Sequence, residues 1–277
     1  MVGRMCGRYA ASRGPDELAA LFDIQHWDGQ AVGADWNVAP TKEVYAVLER
    51  PLKDSGDPAP VRQLRVLRWG LVPSWAKSPE LGAKMINARA ETVHEKAAYR
   101  RAFAARRCLL PADGYYEWAT AGEERQEEEK GKRKRPRKQP YFVTPADGSV
   151  MAMAGLFEFW RDRSLPDDHP RAWWTTCTVI TTDAEATPCA GAEQAAGERP
   201  LTLHDIHPRM PLMLPPERWE AWLDPSRTDP EALRGLLAPP PSGLVRAYPV
   251  SREVNSTANN GPGLVAELPE PEDTTLF

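Results

Sequence analysis

Cys108-Leu109-Leu110-Pro111-Ala112-Asp113-Gly114-Tyr115-Tyr116-Glu117-Trp118 decides the fold class of this chain. Cys108 to Ala112 and Tyr115 to Trp118 are short runs of apolar and aromatic side chains, separated by Asp113-Gly114. Runs of that length broken by turn residues are strands. The same reading extends outward to Val44–Leu48, Val61–Trp69, Val150–Trp160 and Trp173–Thr181, each rich in β-branched or aromatic residues and bounded by Gly, Pro or Asp. Helical spacing is confined to Asp16–Phe22, with Leu18, Leu21 and Phe22 on one face, and to His94–Arg106, where Tyr99 and Phe103 are four apart. Pro216–Leu223 and Pro230–Leu237 each open on a proline suited to a first helical turn. The expectation is an α+β chain, a single domain around antiparallel strands with peripheral helices.

Bulk properties narrow the function classes. A length of 277 residues with 42% hydrophobic content is ordinary for a globular protein. The longest nearly apolar stretch, Val150–Trp160, is interrupted by Glu158 and is far shorter than the roughly 20 residues that span a bilayer. Met1–Cys6 is followed by no apolar run, so no signal peptide is read and a cytoplasmic location is expected. Cys6, Cys108, Cys177 and Cys189 form no C-x-x-C pair, which points to reduced thiols and not to a thiolate metal site. His204 and His207 have a metal-site spacing, but only Asp205 accompanies them, and no metal is read. No phosphate-binding glycine motif occurs, so no nucleotide cofactor is expected. The net charge of −4 argues against a broad basic surface while leaving room for a local basic groove.

Two segments stand apart. Residues 119–140 contain five glutamates (Glu123 to Glu129) and then seven basic residues from Lys130 to Lys138. Such blocks are solvated, and a disordered insertion between two strands is expected; a basic arm on DNA phosphates is the alternative. Residues 261–277 are proline-bearing and acidic, as a mobile tail would be, but end on Leu276 and Phe277.

Cys6 follows Met5, and removal of that methionine would make it an N-terminal residue. An N-terminal cysteine carries an α-amine with a reference pKa of about 7.7–8.0 beside a thiol near about 8.5. The pair condenses with aldehydes: the amine forms a Schiff base and the thiol closes a five-membered thiazolidine. Read alone, Cys6 is first of all a small buried residue of a first strand. The motifs that follow it change that balance: Asn37-Val38-Ala39-Pro40-Thr41, Arg68-Trp69-Gly70-Leu71-Val72-Pro73-Ser74-Trp75, Ile86-Asn87-Ala88-Arg89-Ala90-Glu91-Thr92, Pro111 to Trp118, and His207-Pro208-Arg209-Met210-Pro211.

In this order the motifs resemble the SRAP family, the SOS-response-associated peptidases, from Met5 to about Asn255. The resemblance implies one SRAP-like domain over 5–255 with a partly barrel-shaped sheet. It implies a nucleophilic N-terminal Cys6 acting with Asn87, Glu117 and His207. It further implies recognition of single-stranded DNA and of the ring-opened aldehyde of an abasic site, shielded by a covalent crosslink, with the protein at the nucleoid when bound to DNA. The residue types agree. Glu117 between Tyr116 and Trp118 suits proton transfer, although taken on its own it reads as an outward-facing strand residue. His207 titrates near neutrality, and the Asn87 amide both donates and accepts. Arg8, Arg89 and Arg209 match phosphate oxygens. Trp75, in a loop-like Pro-Ser-Trp, offers a stacking face, whereas Trp69 ends a strand and reads as core. Pro40 and Thr41 shape the cleft wall.

Met1–Arg4 precede the motif, and an amine tied up in the Arg4-Met5-Cys6 peptide forms no Schiff base. Either translation starts at Met5, the preferred reading, or the chain cleaves itself, as a peptidase of hydrolase or lyase type would. Two other functions fit the same residues. One is a cysteine peptidase or amidase using Cys6 and His207; the other is a non-covalent reader of single-stranded or modified DNA. Finally, Asp273-Thr274-Thr275-Leu276-Phe277 resembles a degenerate bacterial sliding-clamp-binding pentapeptide, so a weak clamp contact through Leu276 and Phe277 is expected.

Overall fold

Every second residue of five strands points into one interior, and the strands close on themselves. The computed structural model describes residues 7–53, 55–120, 138–190, 200–239 and 241–269. In chain order the elements are β1 (Tyr9–Ala11), α1 (Pro15–Leu21), β2 (His26–Trp27), β3 (Asp35–Val38), β4 (Glu43–Pro51), β5 (Pro60–Trp69), β6 (Asn87–Arg89), α2 (Arg100–Ala105), β7 (Arg107–Ala112), β8 (Gly114–Thr120) and β9 (Lys138–Pro145). There follow β10 (Met151–Arg161), β11 (Trp173–Asp183), α3 (Leu203–Ile206), β12 (Arg209–Pro211), α4 (Trp219–Leu223), α5 (Pro230–Gly235) and β13 (Val245–Pro249).

Antiparallel pairing runs β11-β10-β7-β4-β5, and a parallel contact of β5 with β11 (Arg68↔Thr176, Trp69↔Cys177) completes the ring. Its interior is filled by Val44, Ala46, Leu48, Leu67, Trp69, Cys108, Leu110, Met153, Phe157, Cys177 and Val179, the period-2 set of each strand. So small a barrel has little space. At Gly155 a Cβ would meet Cys108 Sγ and Thr178 O at 3.0 Å, which is why the interior position opposite Cys108 carries no side chain. The outward face of the same strands (Tyr45, Val47, Leu64, Leu109, Leu156) is covered by Leu18 of α1, Phe103 of α2, Trp222 of α4 and Leu233 of α5. None of the described helices is long and apolar enough to cross a membrane.

A second sheet, β13-β9-β8-β1-β3, closes one end of the barrel. Tyr9, Tyr115, Val143 and Val245 face the barrel core. The alternate residues Ala10, Tyr116 and Phe142 face Tyr248, Val250, Val254 and Leu264. Buried Asn37 ties this outer layer down: its amide donates to Ser256 O (2.8 Å) and Asn259 O (3.0 Å).

The α+β class with antiparallel strands and peripheral helices is what the sequence predicts. One helix is shorter than its spacing suggests. Of His94–Arg106 only Arg100–Ala105 is α-helix, and the preceding residues form turns. There Tyr99 is anchored by its hydroxyl to Asn87 O (3.1 Å), and tertiary fixation takes precedence over local helical spacing. The charged insertion joins β8 to β9; residues 121–137 lie outside the described residues, whereas 119, 120 and 138–140 belong to those strands. The tail expected to be mobile from Gly261 is packed through its first part: Leu264 is buried and Leu268 N–H donates to Pro249 O (2.9 Å). Leu276 and Phe277 lie outside the described residues.

Candidate active site

Strand alternation turns Tyr115 and Glu117 toward the barrel and Tyr116 away from it. Glu117 is therefore buried, 5% exposed, and not the outward-facing strand residue that its local pattern by itself favours. Its Oε1 lies 3.9 Å from His207 Nδ1.

His207 is fixed by local rules. Thr202 and Asp205 form a reciprocal capping box that opens α3, with Thr202 Oγ1 donating to Asp205 Oδ2 at 2.6 Å. The His207 N–H closes the helix on Leu203 O (2.9 Å). Nδ1 lies 3.1 Å from the backbone N and 3.2 Å from the backbone O of Arg209, so it accepts from the first or donates to the second according to the tautomer of the ring. Burial holds the His207 pKa below its ordinary value; a backbone hydrogen bond to Arg209 opposes the shift, and the positive charges of Lys138 and Arg209 reinforce it. The folded pKa lies below the unfolded one, so the neutral ring's contribution to stability is present above about pH 6.5 and is lost as pH falls through the folded midpoint. An NMR titration of the His207 ring is expected to give a midpoint below 6.5. A midpoint at or above 6.5 would contradict this geometry.

Asn87 opens β6, which lies parallel to β11 with Asn87 beside Val179 and Arg89 beside Thr181. The backbone around it is pinned: Ile86 O accepts the Trp69 indole N–H (2.9 Å) and Asn87 O accepts the Tyr99 hydroxyl. Burial pushes the Tyr99 phenol up to about 12, so it remains a donor. On the other edge of β11, Thr181 pairs with Pro211 and Asp183 with Arg209. Asn87 with Arg89 and His207 with Arg209 thus flank the same end of one strand.

The three arginines differ in their surroundings. Arg89 is exposed, and its side chain has no hydrogen bond or ion pair among the described residues. Arg209 is 13% exposed and clamped: Nη1 and Nη2 reach Glu91 Oε1 (2.7 Å) and Oε2 (2.9 Å), Nη1 also Asp183 Oδ1 (2.6 Å), and Nη2 Thr181 O (2.7 Å). Burial alone would raise the Glu91 carboxyl, but its hydrogen bonds with Arg209 hold it below its ordinary value. Arg8 sits on the opposite face of the second sheet, where Nη1 donates to Asn37 Oδ1 (2.7 Å) and Val254 O (2.9 Å).

Trp75 is 59% exposed, whereas Trp69 is buried. The loop of Trp75 is held elsewhere, however: Ala76 O accepts the Trp160 indole N–H (2.7 Å), and Trp160 pairs with Trp174, five positions along β11 before Val179. Pro40 and Thr41 form the turn from β3 to β4. Thr41 has φ of 75°, unusual for a β-branched residue, and is held by its N–H to Trp69 O (2.8 Å).

Cys6 lies outside the described residues, but the chain leading from it does not. Tyr116 N–H donates to Arg8 O (3.0 Å) and Tyr9 pairs with Tyr115, a register that, continued, sets Gly7 opposite Glu117. The other three cysteines are buried. Burial drives the Cys108 and Cys177 thiols well up and that of Cys189 to about 11, so none is a ready thiolate at neutral pH. Sequence reasoning did not assign Glu91, Asp183, Tyr99 or Asn37. The Thr202-x-x-Asp205 box was a readable signal; the ion pairs of Arg209 left none.

Residues 5–257 match the family model described as SOS response associated peptidase (SRAP). The abasic site processing protein YoqW of Bacillus subtilis is 35% identical over 264 residues, covering 94% of this chain and 99% of that protein. YedK of Escherichia coli, also named an abasic site processing protein, is 30% identical over 271 residues, with 94% and 99% covered. Among solved structures, a Bacteroides thetaiotaomicron protein superposes with a TM-score of 0.70 at 23% identity over 95% of this chain and 100% of that one, a likeness of fold.

Proposed function

This chain belongs to the SOS response associated peptidase (SRAP) family, and from that premise we propose that it captures abasic sites in single-stranded DNA by bonding to them through Cys6. The observation that carries the reading is the buried Glu117–His207 pair, 3.9 Å apart, with Glu117 on β8, the strand that pairs with the one leading from Cys6. The relatives' names supply the substrate class: YoqW, YoaM and YedK are each an abasic site processing protein.

In this reading the mature chain begins at Cys6, and the family match beginning at residue 5 favours loss of Met5. The Cys6 amine adds to the C1′ aldehyde of the opened sugar. The resulting carbinolamine loses hydroxide as water, with a proton delivered through Glu117 and His207, and leaves an imine. The thiol then adds to the imine carbon while its proton passes to nitrogen, closing the thiazolidine. Neutral His207 supports this step because it can accept a proton at pH 7. Asn87 holds the sugar or the amine, and exposed Arg89 takes a flanking phosphate. Arg209 acts through position: its backbone orients the His207 ring through Nδ1 while Glu91 and Asp183 hold its guanidinium.

Intact mass spectrometry after incubation with an abasic single-stranded oligonucleotide tests the reading. The expected species has the mass of protein starting at Cys6 plus DNA, less one water, and survives denaturation without a reducing agent. A chain with Met1–Met5 still attached inside such an adduct would overturn it, as would the absence of any adduct from chains that begin at Cys6.

A further inference from the structure

The end of the barrel away from Glu117 and His207 is open. Inward-facing positions that are apolar in the middle of the barrel continue there as Arg50 on β4, Arg65 on β5, Phe159 on β10, and Trp173 and Thr175 on β11. They line a cavity of about 820 Å³. Along β11, Trp173 is eight positions from Thr181, roughly 26 Å at strand rise, so this mouth is separate from the candidate active site.

The lining combines positive charge with aromatic faces. The Arg50 guanidinium lies over the Phe159 ring at 4.8 Å and has no carboxylate partner among the described residues. Burial, with the neighbouring charge of Arg65, pulls the Arg50 pKa down, a sign that this cation is held without its counter-charge. Arg65 is ion-paired with Asp28 at 3.3 Å, yet its side chain remains 40% exposed. Lys53 adds a further exposed cation at the rim. Trp173, 58% exposed, presents a large aromatic surface to the opening. An aliphatic ligand would use neither feature, and a bare anion would leave the indole unused.

We infer that this mouth binds a nucleotide unit, its phosphate on Arg50 and Arg65 and its base stacked on Trp173. Guanidinium forks match phosphate oxygens, indole faces stack on any base, and barrel mouths are common ligand sites. The inference does not rest on the chemistry at Cys6. The nucleotide is either free or part of a DNA strand, and the two sources are separable.

The test titrates the full chain with deoxyadenosine, deoxyadenosine 5′-monophosphate and a six-nucleotide oligodeoxyadenylate, following tryptophan emission. Wild type is compared with Arg50→Gln and Trp173→Ala, whose melting temperatures check that both are folded. The monophosphate is expected to quench saturably, and each substitution to weaken it by about tenfold. Tighter, equally Arg50-dependent binding of the oligonucleotide identifies a strand as the occupant; dependence seen only with the monophosphate identifies a free nucleotide. The inference fails if nothing phosphorylated saturates by about 10 mM, if both variants bind like wild type, or if deoxyadenosine binds as well as its monophosphate.

Discussion

Cys6→Ala is expected to abolish the denaturation-resistant adduct with abasic single-stranded DNA, a loss of about a hundredfold or more, while binding to an undamaged strand stays within about twofold. The size of the effect follows from ring closure. An imine in water hydrolyses back to amine and aldehyde, and only the thiol held two bonds from the α-carbon converts it into a stable ring. Oxygen is a poorer nucleophile toward the imine, so Cys6→Ser stops one step earlier. It retains the α-amine and is expected to give an adduct only when borohydride reduces the imine to a secondary amine. Cys108, Cys177 and Cys189 offer no substitute, because burial raises their thiols. Wild type and both variants are compared on denaturing gels with and without borohydride. An adduct from Cys6→Ala that survives heating without reduction would remove Cys6 from the chemistry. If Cys6→Ser crosslinked like wild type without borohydride, the thiazolidine would be the wrong product.

Arg107→Ala is expected to destabilise the fold by about 3–5 kcal/mol, lowering the melting temperature by roughly 10 °C. Arg107 is 2% exposed and gathers the carbonyls left unpaired where two short helices end. Nη1 donates to Phe103 O (2.8 Å) and Ala104 O (2.7 Å) at the end of α2. Nε donates to Trp222 O (2.7 Å) in the last turn of α4, and Nη2 to Asp224 O and Arg227 O (3.0 Å) just beyond it. Burial pulls its pKa down to about 10, still far above neutrality, so the charge is present and satisfied by these dipoles. Alanine would leave a cavity and several buried carbonyls without donors. Lysine, a point charge without the planar fork, should recover part of the loss. Calorimetry of the three proteins decides. A change below about 1 kcal/mol would show that water or rearrangement replaces the guanidinium.

Neither of these effects is equally legible in the sequence. Cys6 beside Met5 and the motifs around Asn87, Glu117 and His207 announce themselves by residue type and order. Arg107 is one of two adjacent arginines in Arg106-Arg107, and nothing local tells that one packs under two helix ends while its neighbour pairs with Glu158 at 2.7 Å. The same limit applies to Arg209, whose position after His207-Pro208 suggests a phosphate contact but whose guanidinium is held by Glu91 and Asp183.

By itself the sequence determined the class of the fold and the residue types available for chemistry. Strand alternation and turn residues are local properties, and they locate β4, β5, β7, β8, β10 and β11, with β4, β8 and β11 each running two or three residues past the expected end. Short strands such as β6 and β12 escaped, because Asn87–Arg89 and Arg209–Pro211 are strands only by virtue of pairing with β11. Alternation also leaves two faces for every strand without saying which is inward. Only the parallel closure of β5 on β11 chose the interior, and only the packing of the second sheet against the barrel turned Glu117 toward His207. These contacts join residues far apart in the chain, where the deciding free energy is the burial of one face against a partner that no local pattern specifies.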